Sequence, residues 1–329
     1  MSILVTGVAG FIGFHTAKAL AERGDRVIGV DNVNDYYDVG LKQARLAELG
    51  SLPGFAFRKL DIADSDRVFA LVAANKDLTG IIHLAAQAGV RHSLENPYSY
   101  VDSNIMGTVV MLEAARRIDR LRGLTYASSS SVYGANQKQP FSVDDPVNKP
   151  VSLYAASKRS CELIARSYSH LYGLPATGLR YFTAYGPWGR PDMAAWLFTE
   201  AILADRPIKV FNHGRMARDF TYIDDIVAGT IAAHDRPPAA GGAEDEVAHR
   251  VYNLGNHKPE QLLDFIAVIE RALGRAAKKE LLPMQMGDVP ESFADIESAR
   301  RDLSFEPKTS VEEGIARFVT WYKHYHKIN

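Results

Sequence analysis

Tyr154 and Lys158 stand four residues apart in "SLYAASK", near the start of a helical pattern, so both side chains lie on one helix face. A phenol beside an ammonium is an acid–base pair. The free phenol has a pKa of about 10, so acting as a base near neutrality needs a fall of roughly 3 units, or about 4 kcal/mol, and a nearby cation supplies part of it. Taken alone, this spacing more often marks a surface pair. Upstream, "YASSSSVYG" puts Ser128, Ser129, Ser130 and Ser131 between an apolar stretch and a turn. A low-complexity seam is the ordinary reading of such a run, and a row of hydroxyls aimed at a substrate is the functional one. Near the N-terminus, "LVTGVAGFIG" spaces Gly7, Gly10 and Gly13 directly after one apolar run and at the opening of a helical one.

Those glycines suit a tight turn, close approach of the backbone to a pyrophosphate, and close packing of helix on strand. A glycine triplet is a weak signal by itself. Asp31, at the end of the next apolar run, adds an acceptor where an adenosine ribose 2′-OH would lie, and together they predict dinucleotide binding. A carboxylate there repels a 2′-phosphate, and no arginine follows directly in "DNVND", so NAD is expected rather than NADP. Asp61, in "KLDIAD", is read either as facing the adenine edge or as a helix N-cap.

The elements that must position these groups follow from patterning. Short β-branched runs alternate with amphipathic stretches in the first third, which predicts an α/β fold with a doubly wound parallel sheet of the Rossmann type. Strands are expected at 3–6, 26–30, 55–59, 81–84, 124–127 and 176–181, with helices over 104–118 and 153–172. After about residue 183 the chain is richer in Gly and Pro, which predicts a smaller substrate-covering domain and an exposed loop over 236–246. "HRVYNLG" reads as a strand returning to the main sheet. The expected division is 1–182 with a returning segment at about 218–255, against 183–217 and 256–329.

Composition narrows the class. A formal charge of −1 provides no basic field for nucleic acid or an anionic membrane, so any anion must be held by local groups. The single cysteine, Cys161, has no partner for an internal disulfide and no metal-ligand spacing, which fits a reducing cytoplasm. "MSILVTGVAGFIG" lacks a basic leader and is punctuated by glycine, so it reads as a strand entering a loop. Asp219, Asp224 and Asp225 are read as capping and loop carboxylates, with no metal expected. His83 is read as a packed strand residue.

Taken together, "TGVAGFIG", "DN" at Asp31, "HLAA" at His83, "SSSSVYG", "YAASK", "LRYF" and "RDFTYIDD" resemble the extended short-chain dehydrogenase/reductase family, in its nucleotide-sugar epimerase branch. The resemblance implies a Rossmann domain with a C-terminal nucleotide-sugar domain, NAD held throughout turnover, and a homodimer through a four-helix bundle. It implies Tyr154 as base, Lys158 as the group that orients ribose and lowers the phenol pKa, and Ser129 and Ser131 beside the sugar. Around the cofactor it implies Phe11, Ile12 and Asn32 with the glycines and Asp31. Further along it implies Ile62, Leu84, Ala85, Ala86 and Tyr181, beside Asp61.

Within the branch, dehydratases and UDP-glucuronate decarboxylases carry acids where this chain has Ser130 and Ser131. That absence argues for an enzyme that only removes and returns hydride. Thr183 and "YGPWGRPDMA" resemble UDP-glucuronate 4-epimerases, which implies that Thr183 and Arg190 bind the substrate carboxylate, with Ser130 among the sugar-facing hydroxyls. The resemblance places Arg218 near the UDP diphosphate, with Arg215 as its neighbour, and Arg91, after a strand end, is read near either diphosphate or carboxylate. The rival readings are a UDP-glucose/UDP-galactose 4-epimerase, a UDP-glucuronate decarboxylase, and a non-catalytic NAD-binding regulator on the same fold.

Overall fold

The computed structural model describes residues 1–239, 247–285 and 289–328. Seven parallel strands form the main sheet: β1 (Ser2–Thr6), β2 (Arg26–Asp31), β3 (Phe55–Lys59), β4 (Gly80–His83), β5 (Gly123–Ser129), β6 (Ala176–Tyr181) and β11 (His249–Leu254). Their order is β11-β6-β5-β4-β1-β2-β3, so the order in which the strands are laid down reverses between β1 and β4, where a doubly wound sheet opens a crevice at its strand C-termini.

Burial on both faces explains the continuous apolar runs. Ile3 and Val5 pack with Phe14, Ala17 and Leu20 of α1 (Phe11–Glu22). Leu4 and Ile81 turn to the opposite face, against α3 (Ser65–Ala73), α6 (Gly107–Ala115) and α7 (Leu153–Tyr172). Each such aliphatic side chain contributes about 1.5–3 kcal/mol. The helix expected over 104–118 begins earlier and is not uniform. Two helical turns, α4 (His92–Glu95) and α5 (Tyr98–Tyr100), lead into a π-helical segment at Val101–Met106 before α6.

Helix α7 has the expected bounds. The Ser152 hydroxyl accepts from the Ala155 N–H at 3.1 Å, and Gly173 closes the helix in a left-handed conformation at φ 64°. Its buried stripe, Ala155, Lys158, Glu162, Ala165 and Ser169, carries two charges into the core.

Beyond β6 the chain builds short ladders: β7 (Thr183–Tyr185) beside β10 (Phe220–Tyr222), and β8 (Ile208–Val210) beside Lys279–Leu281. Between them β9 (Ala217–Arg218) pairs with Glu260–Gln261 and Glu291–Ser292. Helix α9 (Ile223–Asp235) packs on α1 and the sheet before β11 returns as a strand. Of the loop expected over 236–246, residues 240–246 lie outside the described residues; Arg236 is exposed. Cys161 is buried and free. No described helix is long and apolar enough to cross a membrane.

Three buried imidazoles and one half-buried imidazole make the fold acid-sensitive. Burial pushes the His83 imidazole down to about 3 and those of His15, His234 and His249 down to about 4, from 6.5. The unfolded chain therefore binds protons that the folded chain refuses as pH falls from about 6.5 towards 4, and stability is lost across that window. Urea unfolding at pH 7.5, 6.5, 5.5 and 5.0 should show a steady loss, with a slope approaching about 1.4 kcal/mol per pH unit for each fully titrating imidazole. A flat profile from 7.5 to 5.0 would contradict it.

Candidate active site

Two adjoining cavities open at the switch point of the sheet. The first, about 370 Å³, is lined by the glycine turn, Asp31, the ends of β4 and β5, and by Tyr154 and Lys158. The second, about 1340 Å³, is walled by Arg91, Lys209, Phe211 and Arg218. Thr183 and Arg190 line both, at the junction.

The glycine turn is built for an anion. Gly7 has φ 79°, and a Cβ there would lie 2.7 Å from the Ala85 nitrogen; a Cβ on Gly13 would collide with the Gly7 carbonyl. Helix α1 starts at Gly10 with no side-chain cap and no acid in its first turn. Its first N–H groups and positive dipole end are thus left for a diphosphate. Asp31 accepts from the Ala9 N–H at 3.0 Å and the Val33 N–H at 2.8 Å. Burial pushes its carboxyl above the usual range, partly offset by Val33, Lys42, Ala9 and Arg45. Phe11, Ile12, Asn32, Ile62, Leu84, Ala85 and Ala86 line the same cavity. Asp61 does not: it accepts from Asn32 at 2.9 Å and from the Ala63 N–H at 2.9 Å, while Asp64 caps α3. Tyr181 lines the cavity, but its hydroxyl is paired with Thr230 at 3.0 Å. These groups suit a dinucleotide: a backbone anion cradle at one point and a carboxylate acceptor at the ribose end.

The four serines divide. Strand β5 runs through Ser129, two residues past the apolar stretch, because Ser128 donates to Glu162 at 2.6 Å and so tolerates burial. Ser129 accepts from the Ser131 N–H at 3.2 Å, capping a 3-10 turn over Ser130–Tyr133. That bond uses an acceptor lone pair and leaves the Ser129 O–H to donate. Ser129, Ser130 and Ser131 all line the cavity. Lys158 donates to the Ala127 carbonyl at 2.8 Å from a nearly buried position and retains two further N–H groups. Asp31, at the far end, is the one acidic side chain among the described residues lining this cavity.

Beneath the serines lies a buried ion pair. Arg180 donates to Glu162 through Nε at 2.8 Å and Nη2 at 2.9 Å, and to the Tyr133 hydroxyl at 3.0 Å. Burial alone would push the Glu162 carboxyl up; Arg180, with Ser128 and Arg159, outweighs it and holds it below the usual range. Glu162 lies one helical step beyond Lys158, so the pair ties the helix of Tyr154 to β6, and the Ser128 hydroxyl ties the same carboxylate to the strand of Ser129.

At the junction, Arg190 donates to Asp192 through Nε at 3.0 Å and Nη2 at 2.5 Å. Its Nη1 edge has no protein partner among the described residues. The Tyr36 hydroxyl donates to the same Asp192 at 3.2 Å. Arg218 lines the second cavity and donates to the Ala217 carbonyl at 2.9 Å. Arg91 lines it too, stacked over Phe211 with its guanidinium carbon 5.3 Å from the ring centre. Arg215 is exposed and lines neither cavity. Asp219 is no cluster member: it is buried, accepting from Thr221 and from the N–H groups of Asn256, His257 and Ala294. Asp225 accepts from the N–H groups of Lys308 and Thr309. No group of potential metal ligands occurs among the described residues.

Sequence reasoning missed the stretch "NDYYDVGLK", from which Asn34, Tyr36, Tyr37 and Lys42 line the first cavity, and it missed Asp192. The available signal was the tyrosine pair Tyr36–Tyr37, five residues after Asp31, with a lysine at 42.

Fold and site thus define a dinucleotide-type α/β protein with a second cavity at the sheet's switch point. The chain belongs to the NAD dependent epimerase/dehydratase family, which its residues 3–255 match. It is 49% identical to UDP-glucuronate 4-epimerase 4 of Arabidopsis thaliana, over 99% of this chain and 76% of that one. It is 48% identical to a probable UDP-glucuronate 4-epimerase of Rhizobium meliloti (strain 1021), over 98% and 97%. Among solved structures, UDP-glucuronic acid 4-epimerase from Bacillus cereus, in complex with UDP-glucuronic acid and NAD, superposes with a TM-score of 0.89. That protein is 34% identical, with 99% of this chain and all of that chain covered.

One stability prediction follows from the buried pair. Glu162→Gln leaves Arg180 buried without its counter-charge and should cost about 3–5 kcal/mol in urea unfolding. A loss under about 1 kcal/mol would mean that the pair is not desolvated as described.

Proposed function

We propose that this protein is a cytoplasmic, NAD-dependent UDP-glucuronate 4-epimerase that interconverts UDP-glucuronate and UDP-galacturonate. Residues 1–182 and about 218–255 form the NAD-binding part, and 183–217 with 256–329 the part that covers the sugar nucleotide. What NAD supplies in the first cavity is an acceptor, and then a donor, of the C4 hydride. The relatives named UDP-glucuronate 4-epimerases and the Bacillus cereus complex support the substrate, and the glycine cradle with Asp31 supports the cofactor.

The chain's own residues carry the rest. Tyr154 takes the 4-hydroxyl proton as hydride leaves C4 and returns it when hydride comes back to the other face. Lys158, one helical turn beyond Tyr154 and held by the Ala127 carbonyl, keeps two further N–H groups for the cofactor ribose. Ser129 donates its free O–H to the 4-oxygen, and Ser131 faces the sugar. Arg218 and Arg91, on the wall of the second cavity, receive the diphosphate.

The single observation carrying epimerisation over elimination or decarboxylation is that hydroxyls, not carboxylates, line the cavity at residues 129–131. Oxidation at C4 creates a ketone β to the C6 carboxylate, and such an acid loses CO2 once the breaking bond aligns with the carbonyl π system. Thr183 and the free Nη1 edge of Arg190 hold the carboxylate away from that alignment. The exposed side chains of Val101, Met106, Leu163, Leu171 and Tyr172 on the two long helical segments support a homodimer through a four-helix bundle.

Incubating the purified protein with UDP-glucuronate, without added cofactor, and separating the sugars should give UDP-galacturonate as the main product. UDP-pentose with CO2 as main products would refute the reading in favour of a decarboxylase. Equal or faster turnover of UDP-glucose would refute it in favour of a neutral-sugar epimerase.

A further inference from the structure

Arg45 is fully buried on α2 (Val39–Gly50), and its hydrogen bonds among the described residues all go to carbonyl and hydroxyl oxygens, none to a carboxylate. Its Nη1 donates to the Ala9 carbonyl, in the glycine turn, and to the Tyr37 hydroxyl, each at 2.6 Å. Its Nη2 donates to the carbonyls of Trp188 at 2.6 Å and Gly189 at 3.2 Å. One guanidinium therefore spans the turn that cradles the cofactor and the two residues that precede Arg190. Its Nε is buried without a partner, so the side chain is placed for these carbonyls and not for general satisfaction. It lines neither cavity.

The backbone it grips is strained. Trp188 has φ 61°, a left-handed conformation that a bulky residue adopts only when its surroundings impose it. On the ring side, Phe14, Trp321 and Tyr325 hold the indole at centroid distances of 5.4, 5.2 and 5.4 Å. On the carbonyl side, Arg45 is the restraint. Ring packing fixes where Trp188 sits; the guanidinium fixes how its backbone, and so the start of Arg190, faces the junction. From the segment just before α2, Tyr36 reaches Asp192, the partner of Arg190, so one stretch after Asp31 holds both ends of the 188–192 loop.

We propose that Arg45 is a positioning residue for uronate selection, aligning the Arg190 guanidinium with the junction by tying the 188–189 carbonyls to the cofactor turn. The inference rests on the proposed reading of Arg190 as the carboxylate's partner. A lysine cannot replace it, because a single ammonium does not span both carbonyl groups.

The test uses NAD-loaded protein in a Tyr154→Phe background, so that bound sugars are not turned over, and measures UDP-glucuronate and UDP-glucose affinity by calorimetry. Arg45→Lys should weaken UDP-glucuronate binding about tenfold or more while UDP-glucose stays within about twofold. All three tryptophans, Trp188, Trp196 and Trp321, pack in one cluster, so intrinsic emission should shift in the same variant. Equal losses for both sugars, or no change in either affinity, would overturn the inference. Arg190→Ala, measured in parallel, separates the two claims: if it weakens both sugars equally, the carboxylate reading of Arg190 fails. If it selects against uronate and Arg45→Lys does not, only the Arg45 inference fails. Should Arg45→Lys not fold, Tyr37→Phe removes the hydroxyl sharing Nη1 and should lower the uronate preference about twofold; an unchanged preference would count against the inference.

Discussion

The Glu162–Arg180 pair is the constraint on which the site depends. The helix of Tyr154 and the strand of Ser129 are separate elements, and in the proposed reaction, where both meet one hydroxyl, their register must hold to within a few tenths of an ångström. A carboxylate two helical steps after Tyr154, gripped bidentately by a guanidinium on the next strand, fixes both at once. Ser128 donates into the same carboxylate, so the serine run is anchored from below. The chain of bonds continues through Tyr133 to Asn253, whose amide donates to the carbonyls of Phe141 and Asp295. Such a pair is a poor source of net stability against an apolar substitute and a strong penalty when half removed. Its use here is register.

On that frame the chemistry is governed by what is absent from the cavity wall. Oxidising a uronate at C4 is easy to follow with the wrong step, since the β-keto acid is primed to lose CO2. An acid near the sugar would also open elimination. In the proposed reaction, hydroxyls at Ser129, Ser130 and Ser131 bond the sugar without donating a full charge or removing a second proton. Arg190 arrives already held by Asp192, so its remaining edge is presented in a defined direction, at little further entropic cost.

Much of this was legible in the sequence where local rules act alone. The buried strands followed from apolar runs, and α7 from a serine cap and a terminal glycine. Strand β5 was expected to stop at residue 127 because serine reads as a loop residue; a partner 34 residues away, Glu162, makes Ser128 a core residue instead. The π-helical segment at Val101–Met106 leaves the spacing of apolar residues almost unaltered over six residues, so periodicity does not reveal it. Lys42, Arg45 and Asp192 escaped for one shared reason. Each is placed by contacts that side-chain type does not announce: Arg45 reaches Trp188 at 143 residues' separation, Asp192 receives Tyr36 at 156, and Lys42 folds back eight residues onto Asn34. The motif residues were legible as a set; which serine faces inward was not.

The central claim is that one hydride leaves C4 and returns to it within a closed site. Turnover of UDP-glucuronate carrying deuterium at C4, followed by mass spectrometry and NMR of the UDP-galacturonate formed, tests this directly. The account predicts that deuterium remains at C4 in the product, with none lost to solvent. Replacement of the C4 deuterium by solvent hydrogen would contradict it.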